Sequence, residues 1–202
     1  MVGRPVRNGV RSMAQLSPLE AQVRECFARV AYSHKTHEKC ADICHVRLGR
    51  LKFWQIVLSA VVTGGILTAL FGAEGLKLVS QIISALMSTA LLVLNAYAKD
   101  VDPGQQSERH KETAAALWNI RESYLSLLTD LRQGGVPDEA LRERRDALQA
   151  ALARIYQTAP RTNAVAYASA QAGLQRNEEL TFSEAEIDQL LPPALRSAPT
   201  SE

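Results

Sequence analysis

The residues of this chain best equipped for chemistry are His34, His37, Cys40, Cys44 and His45, gathered in one stretch reading SHKTHEKCADICH. On a helix, steps of three and four place His37, Cys40 and Cys44 on one side, where imidazole and thiolate suit a soft metal ion. A closed zinc site needs four ligands converging as a tetrahedron, and a single helix rarely supplies them all. Small residues at a helix seam, with histidines near its edge, are the better explanation. Imidazole also titrates near physiological pH, so a histidine pH sensor is a second reading of the same residues. Cys40 and Cys44, one turn apart, have poor geometry for a mutual disulfide. Elsewhere the sequence has no Walker loop, GxGxxG, GxSxG or HExxH, and no carboxylate pair stands out from its charged helix faces. We expect no catalytic activity, no metal and no cofactor.

The elements that must carry these residues are organised by two uncharged runs. FWQIVLSAVVTGGILTALF, residues 53–71, extends for roughly 28 Å as a helix, which matches the hydrocarbon core of a bilayer. LVSQIISALMSTALLVLNAYA, residues 78–98, is equally uncharged, and only GAEGLK separates the two. A soluble hairpin normally keeps a polar face, so the pattern predicts two membrane spans rather than a buried core. Arg47, Arg50 and Lys52 precede the first span and Lys99 follows the second, whereas the turn holds one Lys77. That bias puts both ends in the cytoplasm, with Trp54 and Tyr97 at the inner headgroup level.

Polar residues inside the spans fall into a pattern. Gln81, Ser84, Ser88 and Asn95 lie near one face of the second span, at steps of three, four and seven. One reading is packing, since Ala60, Gly64 and Thr68 in the first span are small and spaced by fours. The other is a wet pore lined by the second span, which needs several copies of the chain. No charge lies in either span, which argues against a proton relay or voltage sensor.

Outside the membrane the charge is uneven. Residues 1–52 carry ten Lys/Arg against four Asp/Glu, and residues 99–202 carry twelve against sixteen, so lipid contact suits the first part and no nucleic-acid polymer is expected. Residues 1–16 are expected to be a disordered basic arm with no apolar run for a cleavable signal, leaving the first span as the targeting signal. All three cysteines fall in the cytoplasmic arm, where thiols stay reduced.

Ser17-Pro18-Leu19-Glu20 is a helix start, and no proline follows until Pro103, so one helix is expected to run from Pro18 into the first span. Its stripe of Leu19, Val23, Phe27, Val30, His34, His37, Ala41, Cys44, Leu48 and Leu51 asks for a partner helix. The partner opens at Asp102-Pro103 and carries Leu117, Ile120, Tyr124, Leu127 and Leu131 until Gly134-Gly135. A further helix runs from Pro137 to about Gln157, with Leu141, Leu148, Leu152 and Ile155 on one side and a solvated face of Arg142, Arg144 and Arg145. Residues 164–174 are expected to be helical, and 176–202 to form a short helix from Ser183 to Leu191 and a disordered tail. The fold class is thus all-α, a two-helix transmembrane hairpin whose long cytoplasmic helices form a bundle.

This layout resembles a known family. The arm CFARVAYSHKTHEKCADICHVRLGRLKFW, the run LSAVVTGGILTAL, a tight turn, SQIISALMSTALLVLNAY and then ERHKETAAALWNIRESYLSLLTDL look like the SLATT proteins over residues 17–175. SLATT proteins are bacterial two-transmembrane effectors found beside oligonucleotide cyclases and SLOG sensor domains. The resemblance implies an inner-membrane effector of anti-phage or other conflict systems, a homo-oligomer that opens a pore, depolarises the membrane and arrests growth. It also implies a trigger, either a cyclic oligonucleotide bound directly or a partner sensor protein. Arg47, Arg50 and Lys52 are the candidate phosphate contacts, although topology already accounts for them. A different class, a non-conducting membrane anchor that recruits a cytoplasmic partner, fits the same residues.

Overall fold

A computed structural model describes residues 17–176, 179–183, 186, 187 and 190. The expected disordered arm at 1–16, and most of the expected helix and tail beyond Ser183, lie outside the described residues. Five helices follow one another: α1 (Pro18–Phe71), α2 (Glu74–Val101), α3 (Pro103–Gln133), α4 (Asp138–Thr158) and α5 (Ala164–Gln175). No strand occurs among the described residues.

The 54 residues of α1 make a rod of about 80 Å. Ser17 begins it, its hydroxyl accepting the Glu20 N–H at 3.1 Å, and Pro18 occupies the first turn where no donor is needed. The Glu20 carboxylate does not close a capping box; it pairs with Arg132 of α3 at 3.1 Å. Only Gly72 and Ala73 separate α1 from α2, which starts at Glu74, ahead of the apolar run at Leu78. Glu74 favours that start, its negative charge lying in the first turn.

The junction between α2 and α3 is tighter than a turn. Asp102 alone interrupts the two helices, in the left-handed conformation at φ 37°, and its Oδ1 accepts the Gln105 N–H at 3.0 Å. Because the interruption is one residue, α2 and α3 together descend α1 in one antiparallel register. Gly65 faces Ser84, Gln55 bonds Asn95, His37 bonds His110 and Glu20 pairs with Arg132.

Two consecutive glycines, Gly134 at φ 74° and Gly135 at φ 88°, end α3 in backbone that other residues resist. The chain then reverses, and α4 runs parallel to α1, with Arg145 donating to Gln22 and Tyr156 to Ser33, both at 2.7 Å. The core at this end is Val23 and Val30 of α1, Leu117, Ile120, Tyr124 and Leu127 of α3, and Leu141 of α4. Leu148, Leu152 and Ile155 pack around it, as the α4 stripe predicted. Arg142 and Arg144 of the arginine run are exposed, Arg144 pairing with Asp130 of α3 at 2.7 Å, whereas Arg145 is half-buried and reaches α1.

The membrane end is built the opposite way. The most apolar windows of α1 and α2 each have mean hydropathy 1.8, with 0% and 6% of their residues buried. Ile56 and Leu92 are 69% and 68% exposed. Water would not tolerate two such helices bare on nearly every side, and a bilayer requires them.

Candidate functional site

The polar residues of the α1–α3 seam begin with His34. Its Nδ1 lies 3.0 Å from the Ala114 carbonyl oxygen, which can only accept, so Nδ1 is the donor. Its Nε2 is buried with no hydrogen-bond partner, the nearest carboxylate oxygen being Glu38 Oε1 at 3.6 Å. The His34 ring also packs against Trp118, and the Arg121 guanidinium lies over the same indole, 4.4 Å from the ring centroid. His34, Lys35, Glu38, Lys111 and Trp118 line an open cavity of about 660 Å³ between the two helices.

One turn on, His37 and His110 are both buried and joined Nδ1 to Nδ1 at 2.9 Å. Burial, with the facing His110 and then His34 adding to it, brings His37 down to about 4; burial lowers His110 as well. Next come Ser107, donating to the Ala41 carbonyl at 2.9 Å, and Cys44, 3.9 Å from Gln106 Oε1. Cys40 faces α5, where Asn163 Nδ2 lies 3.9 Å from its sulfur. Burial raises both thiols, leaving them protonated rather than reactive. His37 and Cys44 therefore meet α3, at His110 and Gln106, whereas Cys40 meets Asn163 at the start of α5, and His45 is exposed. Among the described residues no group of three or more His, Cys, Asp or Glu is placed to hold a metal ion.

A second polar constellation joins α1 to the segment after α5. Glu179 accepts from Lys35 at 2.6 Å and Lys39 at 3.0 Å, and these two lysines hold its carboxyl down near 2. Burial works to lower the Lys35 ammonium, yet the hydrogen bonds it donates to Glu179 and Glu38 outweigh that and raise it.

Within the apolar hairpin the four-residue polar stripe divides. Ser84 is buried against Gly65, where a Cβ would lie 2.0 Å from its hydroxyl oxygen. Asn95 Oδ1 accepts from Gln55 Nε2 at 2.9 Å. Gln81 and Ser88 are exposed, and among the described residues neither side chain has a hydrogen-bond partner. Arg47 donates to the Tyr97 hydroxyl and lies over its ring, while Arg50 and Lys52 are exposed and not joined into one site with it.

Sequence reasoning missed His110, Ser107 and the Trp118–Arg121 stack. His110 lies seven residues before Leu117 on the same heptad position, so extending the α3 stripe backwards would have found it.

A polar seam in a long helical bundle that continues into two bare apolar helices defines an all-α membrane protein. The chain matches the model of SLATT family 4, the SMODS and SLOG-associating 2TM effector domain, over residues 19–186. It belongs to that family, and is a membrane effector of the kind the family comprises. No curated protein and no solved structure matches it.

Proposed function

We propose that this chain is a non-catalytic effector of a bacterial anti-phage or conflict system that assembles into a triggered pore in the inner membrane. Opening depolarises the cell and halts growth. The observation that carries the reading is the position of Gln81 and Ser88, polar side chains exposed on the apolar helix α2 with no hydrogen-bond partner among the described residues. In hydrocarbon such groups need companions, and other copies of the chain, or water held between them, supply them. The reading places Gln81 and Ser88 on the lumen. Ser84 and Asn95, engaged with α1, line it only if the seam opens.

Both ends face the cytoplasm in this reading. The turn's single cation, Lys77, is neutralised by Glu74 at 2.6 Å, whereas Arg47, Arg50, Lys52 and Lys99 crowd the opposite end. The bundle then stands where a cyclic oligonucleotide or a partner sensor reaches it. Such a trigger must prefer the open state over the closed one.

Membrane potential, followed by dye fluorescence in bacteria expressing the chain with and without a neighbouring cyclase, tests this. Trigger-dependent depolarisation that Gln81→Leu/Ser88→Leu removes at equal membrane abundance supports the pore. Full depolarisation by that double variant overturns the lumen assignment. The second reading, a non-conducting anchor, is favoured by the closed Gln55–Asn95 seam. It predicts no depolarisation under an active trigger, with partner capture intact.

A further inference from the structure

An apolar groove of about 700 Å³ runs along the surface of the hairpin between α1 and α2. Trp54 and Leu58 form one wall and Leu86, Val93, Leu94 and Tyr97 the other, with almost no polar surface. Arg47 sits beside Tyr97, donating to its hydroxyl, with its guanidinium carbon 5.6 Å from the ring centroid. A charged five-donor fork is thereby fixed beside an apolar slot, at the level where the uncharged run ends.

The cations here differ from many in the bundle. Lys35, Lys39, Arg132 and Arg144 each have a carboxylate on another element. Among the described residues Arg47, Arg50, Lys52 and Lys99 have none. These four cations, with no carboxylate partner among the described residues, leave the groove's bundle end positively charged and suited to an anion. A second copy would bring the same excess of cations to the same depth. A phospholipid brings an apolar chain and a phosphate in the order the site presents them.

We propose that this groove is a specific site for an anionic phospholipid, with an acyl chain lying along Trp54, Leu58 and Leu94 and the phosphate held by Arg47. Arginine suits the role because its planar fork donates two parallel hydrogen bonds to phosphate oxygens. Tyr97 keeps the fork at the headgroup level, and basic pockets beside spans on the cytoplasmic side favour such lipids. The site requires only that 53–98 lie in the bilayer, and it holds whether or not the assembly conducts.

The chain has two tryptophans, Trp54 and Trp118, so a Trp118→Phe background reports on the groove alone. The protein is reconstituted in phosphatidylcholine containing a minor fraction of lipid brominated on its acyl chains, either phosphatidylglycerol or phosphatidylcholine, and Trp54 quenching is compared. The site predicts a preference for brominated phosphatidylglycerol of roughly five-fold, the enrichment expected from one interfacial cation. Arg47→Gln abolishes that preference, Arg47→Lys retains part of it, and Arg50→Gln/Lys52→Gln leaves most of it. Equal quenching by both lipids overturns the proposal. So does equal loss in the Arg50/Lys52 variant, which marks diffuse surface attraction, or quenching by neither, which marks a second copy on the groove. Native mass spectrometry of the unmodified full chain, counting retained phosphatidylglycerol in wild type and Arg47→Gln, gives the same decision without touching Trp118.

Discussion

The Nδ1 atoms of His37 and His110 lie 2.9 Å apart in the α1–α3 seam, with the two side chains only 3% and 5% exposed. One nitrogen donates and the other accepts, so the contact holds a single proton and a second breaks it. His34 is the titratable neighbour on α1, and no carboxylate contributes to either shift. Both imidazoles are held below the ordinary value of 6.5, His37 at about 4. The unfolded chain therefore binds more protons than the folded one as pH falls through 6.5, and stability is lost from there toward 4.

Thermal melts of the detergent-solubilised protein between pH 7.5 and 5 are expected to show this loss, at up to about 1.4 kcal/mol per pH unit for each histidine. Glu179 does not interfere. Its carboxyl is depressed from 4.5 to about 2, so the stability it adds is present above 4.5 and disappears below that window. His110→Gln keeps a hydrogen-bonding side chain without a titrating ring and should flatten the slope. An unchanged slope in that variant would remove the pair as the cause.

What was legible beforehand follows from what each environment demands of composition. A bilayer excludes charge over a whole helix length, so the two runs at 53–71 and 78–98 stood out without any knowledge of packing. Val23, Val30, His34, His37 and Ala41 were traceable because steps of three and four repeat along one rod with no proline. The opposite strip of α3 was legible only where it is apolar, from Leu117 to Leu131. Ser107, His110 and Thr113 occupy the same strip but carry no hydrophobic signal. Which polar residues meet inside the hairpin depends on register, and register depends on a two-residue turn at Gly72 and Ala73 that composition does not reveal.

Gly65 of the first apolar helix packs tightly against Ser84 of the second. A Cβ at Gly65 would meet the Ser84 oxygen at 2.0 Å and the Ser80 carbonyl at 3.4 Å. Gly65→Ala is tolerated once the small hydroxyl rotates, whereas Gly65→Val is expected to cost about 2 kcal/mol by forcing the helices apart. Ser84→Ala should be neutral or stabilising, because its hydroxyl is buried without a partner. Unfolding of the reconstituted hairpin by steric trapping measures all three. A Gly65→Val hairpin as stable as wild type would mean the seam is not packed as described.

Gln55 and Asn95 make the side-chain bond between the spans nearest the bundle, at 2.9 Å. Within a membrane such a bond contributes roughly 0.6 to 2 kcal/mol. Asn95→Leu is expected to destabilise the hairpin by more than Gln55→Leu/Asn95→Leu, since the single change leaves an amide unpaired in hydrocarbon. The double-mutant cycle should give a coupling near 1 kcal/mol, and additive single effects would show that the two amides do not meet.

Asp102 does two jobs at the junction between the apolar hairpin and the bundle: its backbone takes the left-handed conformation and its carboxylate caps α3. Substitutions separate them. Asparagine performs both, since it tolerates φ of 37° and accepts the Gln105 N–H, so Asp102→Asn should leave the melting temperature nearly unchanged. Glycine keeps the backbone but loses the cap, for a few tenths of a kcal/mol. Alanine loses the cap and strains the backbone together, for about 2 kcal/mol. The expected order of stability, asparagine above glycine above alanine, is read from melts followed by circular dichroism. Alanine and glycine of equal stability would assign the junction to the cap alone. An alanine variant as stable as wild type would mean that α2 and α3 can join as one uninterrupted helix, with the register against α1 held by the seam rather than by Asp102.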